Sequence, residues 1–367
     1  MTDLLAAASA ALGVALTEPV ALASSDRSSV LRCLRPGGGT VVVKSYPANE
    51  EGAEGFAAEA AGLEFTTGTR IGPDLLAADP AERVIVMSDL GDAPSLATLL
   101  LGSLAAPART ALLDWAKACG RLAVSTSGRD HEFASLIAGQ QASLGVRPQE
   151  KHWLLRRLER TPVLLEELSV ELRGNPAGLA DDLAAVATLL GPGQCPVFSP
   201  GDICPDNNLI TSEGVRFIDF ESAEFHSVFL DAAYLRMPFS SCWCVSRLPD
   251  DLAAEAEAAY RALVSAAYPE LADEAHWQRG IRLATAAWTL HAMSYLLDRS
   301  MIADRLINLS ESRSPTARQL LRYRWQVLLA ELEGTGELPA ISVLMRQLLT
   351  STESWQVPEM PGYPAFS

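Results

Sequence analysis

The chain has 367 residues, a formal net charge of −16 and a pI of about 4.8. Such an acidic chain offers no phosphate-neutralising surface, so nucleic acid is excluded as an expected partner. No stretch approaches the roughly 18 uninterrupted apolar residues of a membrane-spanning helix, and residues 1–16 predict an ordinary helix with an acidic Asp3 in place of a basic leader, so we expect a cytoplasmic protein outside the membrane.

Two strands follow the first helix. The apolar runs Val20 to Leu22 and Val30 to Cys33 predict a hairpin whose polar turn, residues 23–29, contains Ser25 and Ser28. The turn is either a plain connection or a place where serine hydroxyls and backbone amides meet an anionic ligand.

The β-branched run from Thr40 to Tyr46 predicts a buried strand that carries Lys44. This lysine is either an edge charge that extends its ammonium to solvent or a group directed at an anionic ligand. A lysine removed from water needs a counterion. The Ala- and Glu-rich residues 49–68 predict a helix, and we expect Glu59 to be that counterion, although spacing alone does not exclude Glu64.

Residues 75–78 and 83–87 predict the last two strands of a small antiparallel sheet. The second strand ends at Met87, and Ser88-Asp89-Leu90-Gly91 follows directly. From Ser95 onward the apolar spacing becomes helical, as in residues 112–124, where the wide apolar face is typical of a buried helix.

The most informative stretch is residues 197–221. Two short apolar runs flank Ser212-Glu213-Gly214 and predict a hairpin. A turn-rich segment before it presents Asp202 and Asn207, and the second strand of the hairpin delivers Asp219 beside them. Each of these residues alone is a common turn former, but together their carboxylate and amide oxygens suit Mg²⁺.

The pattern Asp202-Ile203-Cys204-Pro205-Asp206-Asn207 followed by Ile218-Asp219-Phe220-Glu221 resembles the aminoglycoside phosphotransferase and choline kinase-like family, small-molecule relatives of the protein kinases. The resemblance extends over residues 20–235. It implies that Asp202 orients the proton of an attacking hydroxyl, while Asn207 and Asp219 hold Mg²⁺ against the phosphates of ATP. Pro200 stands where the family usually has His.

The same resemblance assigns roles in the first 91 residues. Lys44, paired with Glu59, would contact the α- and β-phosphates, and the serine-containing turn would lie over the triphosphate. The residues after the fifth strand match the hinge whose backbone binds the adenine edge. Met87 either lies near that ring or fills the core. The expected nucleotide-binding residues are Lys44, Glu59, Ser25, Ser28, Met87 and Asp89.

The resemblance implies an α+β, two-lobed protein kinase-like fold. Residues 1–91 would form a nucleotide-binding lobe with a small antiparallel sheet, and residues 92–367 a mostly helical lobe with the catalytic loop and the acceptor site. The implied reaction transfers the γ-phosphoryl group of ATP to a hydroxyl of a small molecule, such as an aminoglycoside or an amino sugar. The acidic charge of the chain favours a cationic, amine-bearing acceptor.

Alternatives stay open at this point. Pro200 motivates a nucleotide- or ligand-binding protein that keeps the fold and lacks turnover, whereas the presence of all four polar groups argues against it. A protein kinase is disfavoured because residues 219–231 leave no room for a long activation segment. Glu221 and Glu224 are candidates for the acceptor site, and the acceptor itself is not identified.

Overall fold

A computed structural model of the chain describes residues 2–147, 151–170, 176–191, 194–239, 242–309 and 314–367. The chain divides into two compact units whose segments alternate along the sequence. Unit 1 comprises Met1–Leu96, Ser125–Gln149 and Phe198–Phe225, and unit 2 comprises Ala97–Val124, Glu150–Val197 and His226–Ser367. The predicted functional division into residues 1–91 and 92–367 is a different partition, and it stays a prediction.

Unit 1 contains a five-stranded antiparallel sheet with the strand order β1-β2-β3-β5-β4. The strands are β1 (Thr17–Ser24), β2 (Ser29–Leu34), β3 (Thr40–Ser45), β4 (Leu75–Asp79) and β5 (Val84–Ser88). All five had been predicted from apolar runs bounded by turn residues. The β-branched run forms β3, which pairs with a neighbour on each side.

One face of this sheet packs with α1 (Thr2–Leu12) in an apolar core. The buried members of that core are Ala8, Leu16, Leu31, Cys33, Val41, Val43, Val84 and Val86. Apart from Ala8 on α1 and Leu16 before β1, they occupy alternate positions of β2, β3 and β5, because successive side chains of a strand point to opposite faces of a sheet. Lys44 follows Val43 and therefore projects from the opposite face, away from α1.

The helix α2 (Glu50–Thr66) begins at Asn49, whose side chain accepts a hydrogen bond from the Gly52 N–H at 2.7 Å. It packs against α5 (Asp130–Leu144). A cluster of four phenylalanine rings, with centroids 4.9 to 5.9 Å apart, is formed by Phe65, Phe133, Phe198 and Phe225. This cluster joins the three separate segments of unit 1.

Unit 1 also contains the predicted hairpin, formed by β7 (Asn208–Thr211) and β8 (Gly214–Phe217). Two of the boundaries between the units fall within short strands that the sequence did not predict, β6 (Pro196–Ser199) and β9 (Glu224–Ser227).

Unit 2 is mainly helical, as predicted. Its helices include α3 (Leu96–Leu100), α4 (Ala105–Thr126), α6 (Trp153–Glu167), α7 (Pro176–Ala187), α8 (Val228–Arg236), α9 (Asp250–Ala267), α10 (Glu274–Ile302), α11 (Ala317–Leu332) and α12 (Pro339–Ser351). The longest helix, α10, packs against α6, α8 and α11. Among the helices of the described ranges, none combines the length and the apolar character needed to span a membrane. The sheet and the helices confirm the predicted α+β class.

Candidate active site

Lys44 is the centre of a buried group of charges within unit 1. Its side chain is 6% exposed, and Nζ lies 2.8 Å from Glu59 Oε2 and 3.3 Å from Glu221 Oε2. The ammonium also donates a hydrogen bond to Asp219 Oδ1. Burial alone would lower the pKa of Lys44, but the three carboxylates outweigh burial and raise this pKa. Lys44 is therefore a charged group held inside the unit by its carboxylate partners.

Glu59 reaches Lys44 from α2 and is itself buried. Its Oε2 also accepts a hydrogen bond from the Tyr46 hydroxyl at 2.9 Å. Burial raises the pKa of Glu59, while the ammonium and the hydroxyl favour its carboxylate form. Tyr46 had been given no role from the sequence. The available signal was its spacing, because residues two apart in an extended segment point to the same side.

Asp219 lies two residues beyond the end of β8 and has a left-handed backbone with a φ of 66°. Few residues other than Gly adopt this conformation, and Asp is among those that tolerate it. The segment after Asp219 lies close to α2, because a Cβ added at Gly62 would be 3.0 Å from the Cβ atoms of Phe220 and Ala223. The glycine thus allows Asp219 to approach the helix that carries Glu59.

The loop that carries Asp202 and Asn207 is held by its own hydrogen bonds. Asn207 Nδ2 donates to the Asp202 carbonyl at 3.1 Å, and the Asn207 N–H donates to the Cys204 carbonyl at 2.9 Å. The N–H of Ile218 donates to the Asn207 carbonyl at 2.9 Å. This last bond ties the loop to the residue before Asp219, so the predicted neighbours Asp202, Asn207 and Asp219 belong to one hydrogen-bonded region.

Asp202 has an unusual protonation equilibrium. Burial is the largest cause that raises its pKa, and with the negative charges of Asp206 and Asp219, and against the opposing effects of the Cys204 N–H and the Arg27 guanidinium, the pKa reaches about 6. A carboxyl group with a pKa below neutrality is ionised at pH 7 and is still basic enough to accept a proton from a hydroxyl.

The charges of this region fit a divalent cation. Its carboxylates are Glu59, Asp202, Asp206, Asp219 and Glu221, and its cations are Lys44 and Arg27. Acid is therefore in excess. Because the amide nitrogen of Asn207 donates to the loop, its amide oxygen is the ligand atom left beside the carboxylates. Hard oxygen donors with excess negative charge suit Mg²⁺.

The turn between β1 and β2 is shaped by Ser25. Its hydroxyl oxygen accepts hydrogen bonds from the N–H groups of Arg27 and Ser28, each at 3.2 Å. These two amides are thus engaged within the turn. The predicted contact of Ser25 and Ser28 with phosphate stays a prediction. The same turn presents Arg27, which had been given no role, and its Nη1 lies 3.0 Å from Glu221 Oε1.

Met87 and Asp89 lie at the end of β5. Met87 is buried and follows Val86 of the core beside α1, so its side chain projects from the same face of the sheet as Lys44; the choice between the adenine ring and the core stays a prediction. The carboxylate of Asp89 accepts a hydrogen bond from the Thr40 hydroxyl at 2.6 Å and forms an ion pair with Arg32 at 2.6 Å. The carboxylate of Asp89 is therefore engaged by Thr40 and Arg32, and the predicted contact of this segment with adenine stays a prediction.

The structure also shows the positions of the acidic residues Glu221 and Glu224 and of the amide Asn208. Glu221, expected as an acceptor-site candidate, instead lies between Lys44 and Arg27 in unit 1. Glu224, the other candidate, is the first residue of β9. Asn208 is fully buried, and its amide donates to the carbonyls of Ile203, at 3.1 Å, and Cys204. No role had been predicted for Asn208, although it directly follows the motif that ends at Asn207.

No family model and no curated protein matches the chain significantly. Solved structures do match it. A candidate fructosamine-3-kinase from Thermobifida fusca YX-ER1 has a TM-score of 0.52 and 16% identity, over 90% of this chain and 99% of that one. A macrolide 2'-phosphotransferase from Brachybacterium faecium has a TM-score of 0.50 and 16% identity, over 82% and 94%. A choline kinase from Cryptosporidium parvum Iowa II has a TM-score of 0.50 and 12% identity, over 92% of both chains. At such low identity the similarity concerns the fold, and it confirms that the chain has the protein kinase-like fold predicted from its sequence.

Proposed function

We propose that the protein is a small-molecule kinase that transfers the γ-phosphoryl group of ATP to a hydroxyl of a small, amine-bearing acceptor. The observation that carries this proposal is the ion pair between Lys44 and Asp219, in the same compact unit as the loop with Asp202 and Asn207. Phosphoryl transfer needs positioning and neutralisation of charge more than covalent help from the protein. These four side chains supply both.

Each residue has a definite part in this proposal. The Lys44 ammonium binds phosphate oxygens of ATP, and its link to Glu59 keeps it in place when the nucleotide is absent. Asp202 orients the acceptor hydroxyl and accepts its proton, since a pKa of about 6 leaves it ionised at neutral pH. Asn207 and Asp219 would hold Mg²⁺, which when bound would neutralise charge on the transferred group.

We assign nucleotide binding to residues 1–91 and acceptor binding to residues 92–367, in line with the sheet and the helices of these ranges. Three structures with the same fold are described as kinases or phosphotransferases, which supports the same general reaction. The net charge of −16 supports a cationic acceptor, because an acidic surface attracts cations.

The test is formation of ADP from ATP and Mg²⁺ in the presence of a panel of hydroxylated amines, with amine-free polyols as a comparison set. For the acceptor that gives turnover, D202A should lower kcat by about 10²- to 10⁴-fold, the contribution of a positioned proton acceptor. Circular dichroism should show an unchanged fold. The matched control is E82Q, which removes an exposed carboxylate in the turn before β5 and should retain wild-type turnover.

Two results would contradict the proposal. Turnover of D202A at the wild-type rate removes Asp202 from the reaction. Absence of both acceptor-stimulated ADP formation and Mg²⁺-dependent ATP binding, measured by calorimetry, removes the kinase assignment itself.

A further inference from the structure

We propose that Glu221 occupies the place of a phosphate group when no nucleotide is bound, so that nucleotide binding exchanges this carboxylate for phosphate oxygens on Arg27 and Lys44. The inference rests on the proposed function and extends it to how the site is regulated. It makes Arg27 a phosphate-binding residue and Glu221 a residue that weakens nucleotide binding.

The geometry of Glu221 is that of a bridge between two cations. Oε1 lies 3.0 Å from Arg27 Nη1, and Oε2 lies 3.3 Å from Lys44 Nζ. One carboxylate thus uses both of its oxygens on cations, one from the β1–β2 turn and one from β3. A phosphate group offers the same feature, several anionic oxygens that bind Arg and Lys together.

The two cations differ in how firmly they are held. Lys44 keeps Glu59 and Asp219 as partners if Glu221 leaves, so its charge stays compensated. Among the described residues, the Arg27 guanidinium forms an ion pair with Glu221 and its charge also lowers the pKa of Asp202, while its side chain is 63% exposed. An ion pair with one exposed partner is weak. Arg27 can therefore leave the carboxylate at little cost and turn to an incoming phosphate.

In the β1–β2 turn, the Arg27 guanidinium is better placed to bind phosphate than the backbone N–H groups are. The N–H groups of Arg27 and Ser28 both donate to the Ser25 hydroxyl oxygen, and the Ser25 N–H donates to the Ser28 carbonyl at 2.9 Å. These three N–H groups of the turn are thus bound within it. The guanidinium is the group of this turn that reaches the Lys44 site through Glu221.

The experiment measures the affinity of the full-length chain for ADP and for inorganic tripolyphosphate by calorimetry in EDTA, so that metal coordination does not contribute. R27Q should weaken both ligands by about tenfold, the scale of one charge-assisted contact with phosphate, and R27K should restore part of the loss. E221Q keeps the size of the side chain and should tighten both ligands by roughly three- to tenfold.

The double variant separates exchange from simple repulsion between Glu221 and phosphate. If Glu221 withholds Arg27 from phosphate, E221Q should tighten binding by clearly less in the R27Q background than in the wild-type background. Equal gains in both backgrounds overturn the proposal. The matched controls are R35Q, in the exposed β2–β3 turn, and E213Q, which removes the carboxylate of another Arg–Glu pair in unit 1; both should leave the affinities unchanged.

Failure of the proposed function is distinguishable from failure of this inference. Wild-type protein that binds tripolyphosphate with the expected order of variants, but shows neither acceptor-stimulated ADP formation nor Mg²⁺-dependent ATP binding, overturns the kinase assignment and supports the exchange. Protein that phosphorylates an acceptor while E221Q and R27Q act independently overturns the exchange alone. Wild-type protein that binds neither ligand in EDTA overturns the exchange, and the kinase assignment is then tested separately by Mg²⁺-dependent ATP binding and turnover.

Discussion

Replacement of Asp202 by Asn should stabilise the folded protein while it abolishes the proposed activity. The carboxyl group of Asp202 is removed from water and lies near two other acids, Asp206 and Asp219, so its ionised form is unfavourable in the folded state. Asn has the same shape, and its amide oxygen can still accept the hydrogen bond that the Cys204 N–H donates to Asp202 Oδ1 at 3.3 Å. D202N therefore removes the charge and keeps the local contact.

The magnitude follows from the change in pKa. The pKa of Asp202 rises from an ordinary value of 3.8 to about 6 in the folded chain, and each pKa unit corresponds to about 1.4 kcal/mol. Full ionisation thus costs the folded state up to roughly 3 kcal/mol, and we expect about 1–3 kcal/mol because water reaches part of this loop. Below pH 3.8 the carboxyl is neutral in both states and the cost vanishes. The cost grows as the pH rises and is complete above pH 6.

The assay is thermal and urea unfolding of wild type and D202N in EDTA, at pH 4.5 and pH 8. D202N should be more stable at pH 8, with a midpoint a few degrees higher, and most of this advantage should be lost at pH 4.5. The E82Q variant again serves as the control, since it removes one negative charge, as D202N does, but at an exposed position. A D202N protein that is less stable than wild type at pH 8, or equally stabilised at both pH values, would refute the reasoning.

Two further predictions concern the elements around the loop. Gly201 has a φ of 83°, and a Cβ there would overlap a backbone carbonyl, so G201A should lower the unfolding midpoint by several degrees and eliminate turnover. The matched control is G139A, in open space on α5, which should raise the free energy of unfolding by about 0.5–1 kcal/mol. The Tyr46 hydroxyl satisfies the buried Glu59, so Y46F should cost about 1–2 kcal/mol in urea unfolding; an unchanged free energy of unfolding would show that the bond contributes nothing.

The sequence predicts those features that depend on short-range patterns. Apolar runs with period two and turn residues between them locate all five strands of the sheet and the hairpin β7–β8, because both signals are local. The spacing from Asp202 to Asp219 predicts that these residues lie close together for the same reason, since a tight hairpin fixes the distance between its two ends. Even the buried strand with Lys44 is visible as a β-branched run interrupted by one charge.

Features that depend on contacts between distant segments were not predictable. The ion pair of Arg27 and Glu221 joins a turn near the start of the chain to a segment beyond its middle, and neither residue differs in type from an exposed surface charge. The left-handed backbone of Asp219 has no sequence signal, because Asp adopts it only where the surrounding structure requires it. The packing of α5 against α2 is equally invisible, since helical periodicity does not indicate which helices meet.

Pro200 raised the alternative of a binding protein without turnover, and the structure weakens that argument. The loop is fixed by contacts that need no imidazole: the Gly201 N–H donates to the Ser199 hydroxyl at 3.2 Å, and the side-chain amides of Asn207 and Asn208 donate to loop carbonyls. Proline also restricts the residue before it to an extended backbone, which suits Ser199 at the end of β6. Pro200 thus favours the strand that leads into the loop, while the neighbouring glycine and asparagines hold the turn. An argument for lost turnover would need a defect at Asp202, Asn207 or Asp219, and these three side chains are all present.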